Sequence, residues 1–336
     1  MKLLFELSKE HQTLPGAEVL ASLEAEYIAY RNVISNEDVL IADIPPEQAS
    51  VHRLGERLAF TFTIDELLFS CPATLEEIVQ NARQHPLLQE GSIAIRCKNR
   101  SSEIDSDALI DRLGDVYTKG RAVNLTAPDI ELRAIVTETT AYIGMKKAQV
   151  NTSDFQHRRG HLRPFLLPIT LHPKIARALV NLSRVSTHET LLDPFCGTGG
   201  ILLEAGLLGV QVIGSDIEQK MIDGCQKNLN YYHLNNFTLY RVDIGDIQKN
   251  VQSVDAIATD FPYARATTTK GEQLTKLYTR AFETITQVLK KNRYAVIGLS
   301  SEDVRTIGER YLTVVETYPV KSHRSLTRYF VVYKNR

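Results

Sequence analysis

The stretch Leu191-Leu192-Asp193-Pro194-Phe195-Cys196-Gly197-Thr198-Gly199-Gly200-Ile201, continued by Leu202-Leu203-Glu204-Ala205-Gly206, decides how this chain folds. Apolar residues run into an acid, then a glycine-rich turn, then a segment whose Ile201, Ala205 and Leu208 share one helical face. That is the order strand, tight loop, helix. Gly197, Gly199 and Gly200 lack a Cβ, so the backbone can turn sharply and approach a ligand closely where the helix begins. A dinucleotide fingerprint wants a further glycine at position 202, where this chain has Leu, so a pyrophosphate-bearing cofactor is disfavoured. An acid ahead of the glycines suits a ligand with a cationic amine. An ordinary strand-turn-helix connection would not need glycine loop, acid and helix together.

The Asp-Pro-Phe-Cys-Gly-Thr-Gly run resembles the cofactor loop of Rossmann-like S-adenosylmethionine (AdoMet) methyltransferases. The resemblance implies an α/β domain with a seven-stranded, mostly parallel sheet, and a cofactor site that includes Asp193, Phe195, Cys196, Gly197, Thr198 and Gly199. Further along, Gln211 to Glu218 reads as a second strand ending in an acid. A carboxylate at such a tip can accept both hydrogen bonds of a ribose diol, which assigns Asp216, beside Ile217, with Glu218 in reserve. A third strand, Thr238 to Ile244, offers Asp243 to the adenine amino group and Ile244 to the face of the ring. A lone strand-end Asp is often a helix cap or a turn former, but three at successive strand tips (193, 216 and 243) are less easily dismissed.

The fourth strand, Val254 to Asp260, leads into Phe261-Pro262-Tyr263, which resembles the Asp-Pro-Pro-Tyr motif of methyltransferases that act on exocyclic amino groups of bases. The lone pair of such an amine is delocalised into the ring. A carboxylate and a neighbouring carbonyl that accept its two hydrogens make the nitrogen more pyramidal and aim the lone pair at the methyl group. Asp260, with the Phe261 or Pro262 carbonyl, fills that role and also borders the cofactor; Tyr263 would stack on the extruded base. Phe261 replaces the first proline, which predicts a less rigid loop. A sulfonium already activates the methyl group, so neither a metal nor a covalent nucleophile is needed, and Cys196 reads as a loop residue.

A second resemblance lies upstream. Val123-Asn124-Leu125, then Pro128-Asp129, an alternating strand and Ala141-Tyr142-Ile143-Gly144 look like the end of a THUMP domain, an RNA-binding module of tRNA-modifying enzymes. The resemblance implies phosphate contacts from Arg96, Lys98, Arg100, Lys119 and Arg121; read alone, these charges describe a solvated face. The loop from Ala264 to Gly271 and the run from His323 to Tyr329 add Arg265, Lys270, Arg324 and Arg328. Together these features resemble the archaeal-type tRNA guanine-10 N2-methyltransferases. The expected division is an α+β, ferredoxin-like module over residues 1–62, a THUMP-like domain over 63–150, a linker over 151–168 and the methyltransferase domain over 169–336. The linker, with His157-Arg158-Arg159-Gly160-His161-Leu162-Arg163-Pro164, reads as a basic hinge that faces either RNA or water.

Bulk properties agree with this. A chain of 336 residues, 43% of them hydrophobic, can bury two or three cores. A net charge of -1 confines any nucleic-acid surface to a local patch. The four cysteines form no Cys-x-x-Cys pair, so neither a zinc knuckle nor a disulfide framework is supported. A charged N-terminus and the lack of a membrane-length apolar run predict a cytoplasmic protein with no membrane association. The family resemblance implies AdoMet-dependent methylation of the N2 amine of a guanosine in tRNA, at position 10, once or twice. It also implies that a small zinc-binding activator protein could dock on a sheet edge. Rival readings are N2-guanine methylation elsewhere in tRNA or in rRNA, N6-adenine methylation, a non-catalytic tRNA-binding protein with a methyltransferase fold, and a dehydrogenase.

Overall fold

The computed structural model describes residues 1–167, 170–263, 273–323 and 326–336. The chain forms two compact units. The first comprises Met1–Val19, Ile28–Glu56 and Thr61–Asn151; the second comprises Leu20–Tyr27, Arg57–Phe60 and Thr152–Arg336.

Through Gln149 the elements are β1 (Lys2–Leu7), α1 (Leu14–Ala25), β2 (Arg31–Ser35), β3 (Val39–Asp43), α2 (Val51–Arg57), β4 (Thr61–Pro72), α3 (Leu75–Gln84), β5 (Ile93–Asn99), α4 (Ser106–Tyr117), β6 (Ile130–Val136) and β7 (Thr140–Gln149). Their strands make one sheet in the order β2-β3-β1-β4-β7-β6-β5. All neighbours are antiparallel except β5 and β6. The long strand β4 pairs with β1 on one side and β7 on the other, so it stitches the sheet together. Its apolar pattern is interrupted by buried Thr63 and Asp65, so the strand cannot be read from alternation alone. α3 is capped at its start: the Thr74 hydroxyl accepts from the Glu77 N–H at 3.3 Å. Ile78 and Ala82 of α3 and Leu109 and Leu113 of α4 then pack with Leu132, Ala134 and Ile143 of the sheet.

This sheet also buries charge. Arg133 pairs with Glu6 at 2.6 Å and stands 3.7 Å from Asp65. Arg100 pairs with Glu6 at 3.2 Å and with Asp38, which Lys9 also meets at 2.8 Å.

From Thr152 onward come α5 (Ser153–His157), α6 (Pro173–Leu182), β8 (Thr190–Asp193), α7 (Gly200–Gly206), β9 (Gln211–Asp216), α8 (Gln219–Tyr231), β10 (Phe237–Arg241), β11 (Val254–Asp260), α9 (Leu274–Val288), β12 (Leu289–Leu299), α10 (Arg305–Glu309), β13 (Thr313–His323) and β14 (Leu326–Lys334). The sheet order is β10-β9-β8-β11-β12-β14-β13. The first five strands are parallel; β14 runs antiparallel to β12, and β13 antiparallel to β14. Chain order reverses between β8, which continues to β9 on one side, and β11 on the other. In open α/β sheets the crevice at such a switch point, outside the carboxyl ends of the strands, is where ligands bind. Behind it, Ile257, Ile297 and Val331 of the sheet pack with Ala281, Phe282 and Ile285 of α9.

Two arginines of the largely exposed segment before α6, Arg158 and Arg163, turn inward and face neither RNA nor water. Glu204 of α7 is fully buried, and a carboxylate without water needs cations. Arg158 supplies two bonds to it, at 2.8 and 3.1 Å, and Arg177 of α6 one at 3.0 Å. Arg163 is buried nearby, 3% exposed. Among the described residues, no helix is long and apolar enough to cross a membrane.

Candidate active site at the carboxyl rim of the second sheet

β8 ends at Asp193, and the chain then turns through the glycine loop into α7. The loop is tied to the neighbouring strand: the Cys196 N–H donates to the Ser215 carbonyl at 2.9 Å, and the Ser215 hydroxyl to the Pro194 carbonyl at 3.2 Å. Gly199 has a left-handed φ of +80°, and a Cβ there would stand 2.5 Å from the Cys225 sulfur, so both conformation and space require glycine. Gly197, at φ +48°, differs: a Cβ on it would meet nothing within 4 Å, because the loop faces open space there. The junction segment braces the loop from behind. The Asn228 side chain of α8 bonds the N–H and the carbonyl of Phe165, each at 2.8 Å, and donates to the Thr198 carbonyl at 2.9 Å. Sequence reasoning missed Asn228 and Phe165, whose pairing is not local.

Three carboxylates come together on this rim. Burial lifts the Asp193 carboxyl to about 7, against bonds from the Thr259 hydroxyl (2.7 Å) and the Phe195 N–H (3.2 Å), and the charges of Asp260 and Asp216 push it further up. Burial also raises Asp216, although the Glu218 N–H (2.9 Å) and the Gly197 N–H (3.1 Å) donate to it. Asp260, at the tip of β11, is raised by burial against the opposing Arg328 charge and the Tyr263 hydroxyl. Such a rim holds its negative charge at a cost, and a small organic cation relieves it. Asp216 keeps lone pairs for a diol. The group therefore fits a ligand that carries both a cation and a ribose.

Asp243, the fourth candidate, is more fully engaged. Its Oδ1 accepts the Gly245 N–H at 2.8 Å as the cap of a short 3₁₀ helix, and Arg280 of α9 pairs with the same carboxylate. Ile244 is 3% exposed and packs into the core behind the rim, while Ile217 is half-buried.

Phe261 does not loosen its loop, contrary to the sequence expectation. Its N–H donates to the Gly298 carbonyl at 3.0 Å, a bond no proline could make. Its fully buried ring lies 5.2 Å from Phe195, 5.3 Å from Tyr278 and 5.3 Å from Phe282. Pro262 is fixed in turn, because its carbonyl accepts the Tyr278 hydroxyl at 2.7 Å. The Tyr263 hydroxyl donates to Asp260 Oδ1.

The cations expected to touch RNA divide. Lys98 and Lys119 are exposed, as is Arg96, which donates to the Leu125 carbonyl. Arg121 is half-buried and donates to the Leu87 carbonyl at 3.0 Å. With Arg83, Arg112, Lys119 and a single acid, Asp115, it lines a cavity of about 610 Å³ against α3 and α4. Arg83 and Arg112 were not singled out from the sequence; α3 and α4 bring them to one place. Two expectations are corrected. Arg100 is held by Asp38 and Glu6 inside the first unit, and Arg328 is buried against Asp260, so neither offers a free guanidinium. Arg265, Lys270 and Arg324 lie outside the described residues.

Known proteins share these features. Residues 160–329 match the family described as RMKL-like, methyltransferase domain, and residues 72–146 match the THUMP domain. The chain is 32% identical to a tRNA (guanine(10)-N2)-dimethyltransferase of Methanothermobacter thermautotrophicus and 31% identical to one of Methanocaldococcus jannaschii; each match covers 98% of both chains. Among solved structures, TrmN from Thermus thermophilus superposes with a TM-score of 0.55 at 18% identity, covering 99% of this chain and 100% of that one. SMU.472, crystallised in complex with SAH, gives 0.55 at 14% identity, covering 100% of this chain and 98% of that one. At those identities the superpositions speak for the fold alone. The near full-length sequence matches and the two domain matches go further: the chain belongs to the family of the tRNA (guanine(10)-N2)-dimethyltransferases.

Proposed function

We propose that this protein methylates the exocyclic N2 amine of guanosine 10 in tRNA, once or twice, with AdoMet as donor. The observation that carries the proposal is the convergence of Asp193, Asp216 and Asp260 at the switch point, next to a glycine loop open at Gly197. When bound, the donor supplies a methyl group already activated by a positively charged sulfur. The residues of the chain do the rest. Asp193 answers the cationic part of the donor, Asp216 takes the ribose diol, and Asp243 borders the adenine, with Ile244 buried behind it rather than on the ring. Phe195, Cys196, Thr198, Gly199 and Ile217 shape the walls. Asp260 accepts a hydrogen of the base amine, and the Pro262 carbonyl, with one lone pair on Tyr278, has another for the second hydrogen. Tyr263 stacks on the base.

In this reading residues 63–150 grip RNA through Arg96, Lys98, Lys119 and Arg121, and residues 169–336 carry the chemistry. A small zinc-binding activator would need an open strand, and β10 and β13 are the edges of the second sheet. The protein would work in the cytoplasm.

Labelled AdoMet and unmodified tRNA test the proposal, with nucleosides resolved by mass spectrometry. The wild type should yield mono- and dimethylated guanosine, and tRNA lacking guanosine 10 should take up no label. Asp260→Asn should lower kcat by about 100-fold or more. Equal rates for the two proteins would remove Asp260 from the chemistry.

A further inference from the structure

Asp260 leans sideways across its own sheet. Gly298 is its partner on β12, and a Cβ there would stand 2.3 Å from Asp260 Oδ1 and 3.0 Å from the Phe330 ring. A lone glycine inside a strand marks such a close approach. Beyond Gly298 lies β14, where Phe330 pairs with Gly298 and Arg328 sits two residues earlier. The Arg328 guanidinium lies 3.4 Å from Asp260 Oδ2 and 5.3 Å from the centre of the Tyr263 ring. The other oxygen, Oδ1, accepts the Tyr263 hydroxyl. The Arg328 side chain is only 7% exposed, and its Nε has no hydrogen-bond partner among the described residues. Burying a guanidinium this way is costly unless it serves the carboxylate it faces.

We propose that Arg328 is a positioning residue for methyl transfer: it pins Oδ2 of Asp260, so that Oδ1, capped by Tyr263 until substrate arrives, is the oxygen that takes the base amine. The inference rests on the reading of Asp260 as amine acceptor. An arriving amine exchanges its N–H for the Tyr263 O–H on Oδ1, which frees the tyrosine ring to stack on the same base. Throughout, Arg328 stays on the far oxygen. Among the described residues, the groups that face Asp260 are Arg328 from β14, Tyr263 on its own loop, Asp193 from β8 and Tyr278 from α9. Among these Arg328 is the positive one. Without it the carboxylate is left buried beside another acid and two phenols, and protonates more readily.

The test is the pH profile of kcat, with KM for tRNA, measured on the full chain. Arg328→Met should lower kcat about 10- to 100-fold at neutral pH, leave KM for tRNA unchanged, and move the acid limb up by about one pH unit or more. Arg328→Lys, which keeps the charge, should bring the limb back toward the wild type. A wild-type kcat and limb in Arg328→Met would overturn the proposal. So would a raised KM with kcat and limb untouched, which is the signature of an RNA contact. Should Arg328→Met fail to fold, Gly298→Ala replaces it: the added methyl displaces Asp260, kcat should fall, and an unchanged profile would overturn the claim. Asp260→Asn, run in parallel, separates the two readings. Full activity there removes the parent assignment, whereas an inactive Asp260→Asn beside a normal Arg328→Met removes only the role of Arg328.

Discussion

The two units answer buried charge to different degrees. In the first, Glu6 and Asp38 are paired by Arg133, Arg100 and Lys9, while Asp65, 3.7 Å from Arg133, is pushed up to about 7 by burial. In the second, Asp193, Asp216 and Asp260 share a rim where Arg328 answers one of them. A buried network that is mostly paired has little left to offer a ligand, so its work is to hold a sheet. A rim left negative is less stable alone and gains from a cation brought by something else. The same residue types thus give a scaffold in one place and a site in the other.

The sharpest way to break this comparison is to unbalance the first network. Arg133→Met leaves Glu6 and Asp65 buried without their shared cation. Unfolding in urea should show a loss of about 3–5 kcal/mol, with AdoMet affinity unchanged. A loss below about 1 kcal/mol would mean that the network is decoration on a sheet held by its apolar core.

The rim should respond to pH through the ligand it binds. The Asp193 carboxyl sits at about 7, well above its unfolded value near 4. The ligand-free fold therefore keeps a proton that the unfolded chain releases. The stability this gives is complete below about pH 4 and is lost as pH rises through 7. A cationic ligand prefers the ionised form. Its Kd should therefore be flat above about pH 7 and rise toward tenfold per pH unit below it. In Asp193→Asn that slope should vanish and binding weaken by about 10- to 100-fold, as calorimetry would show. A wild-type Kd that stays level from pH 8 to pH 5 would separate Asp193 from the cation.

How much of this could be read from the sequence follows from what is local in it. The glycine loop, Asp193, Asp216 and the Asp260 loop each sit where a strand meets its turn, so a few consecutive residues carry the signal. Contacts between distant strands carry none. Arg328 looked like one more cation in a basic run, because nothing near it in sequence says that Gly298 opens a path to Asp260. The missing proline at 261 looked like lost rigidity. Its ring and N–H both turn out to be used, by α9 and β12, which appear only once the sheet is assembled. Arg158 and Arg163 read as facing RNA or water, since the buried Glu204 they surround lies in a helix whose apolar pattern hides it.

A third kind of charge completes the comparison. Lys98 and Lys119 stand in water and, among the described residues, have no buried acid to satisfy, so removing them should shift stability by no more than about 0.5 kcal/mol. Their value, if they meet phosphate, lies in counterion release. Removing one such lysine should then reduce the slope of log Kd for tRNA against log salt by about 0.7 to 0.9. Arg100→Ala should do the reverse. It empties a place in the first network and destabilises the sheet, while the salt slope stays as it was, because its guanidinium already belongs to Asp38 and Glu6. Filter binding over a salt series, with all three variants side by side, distinguishes the classes. A slope that falls for Arg100→Ala and holds for the two lysines would show that paired and solvated charges had been assigned the wrong way round.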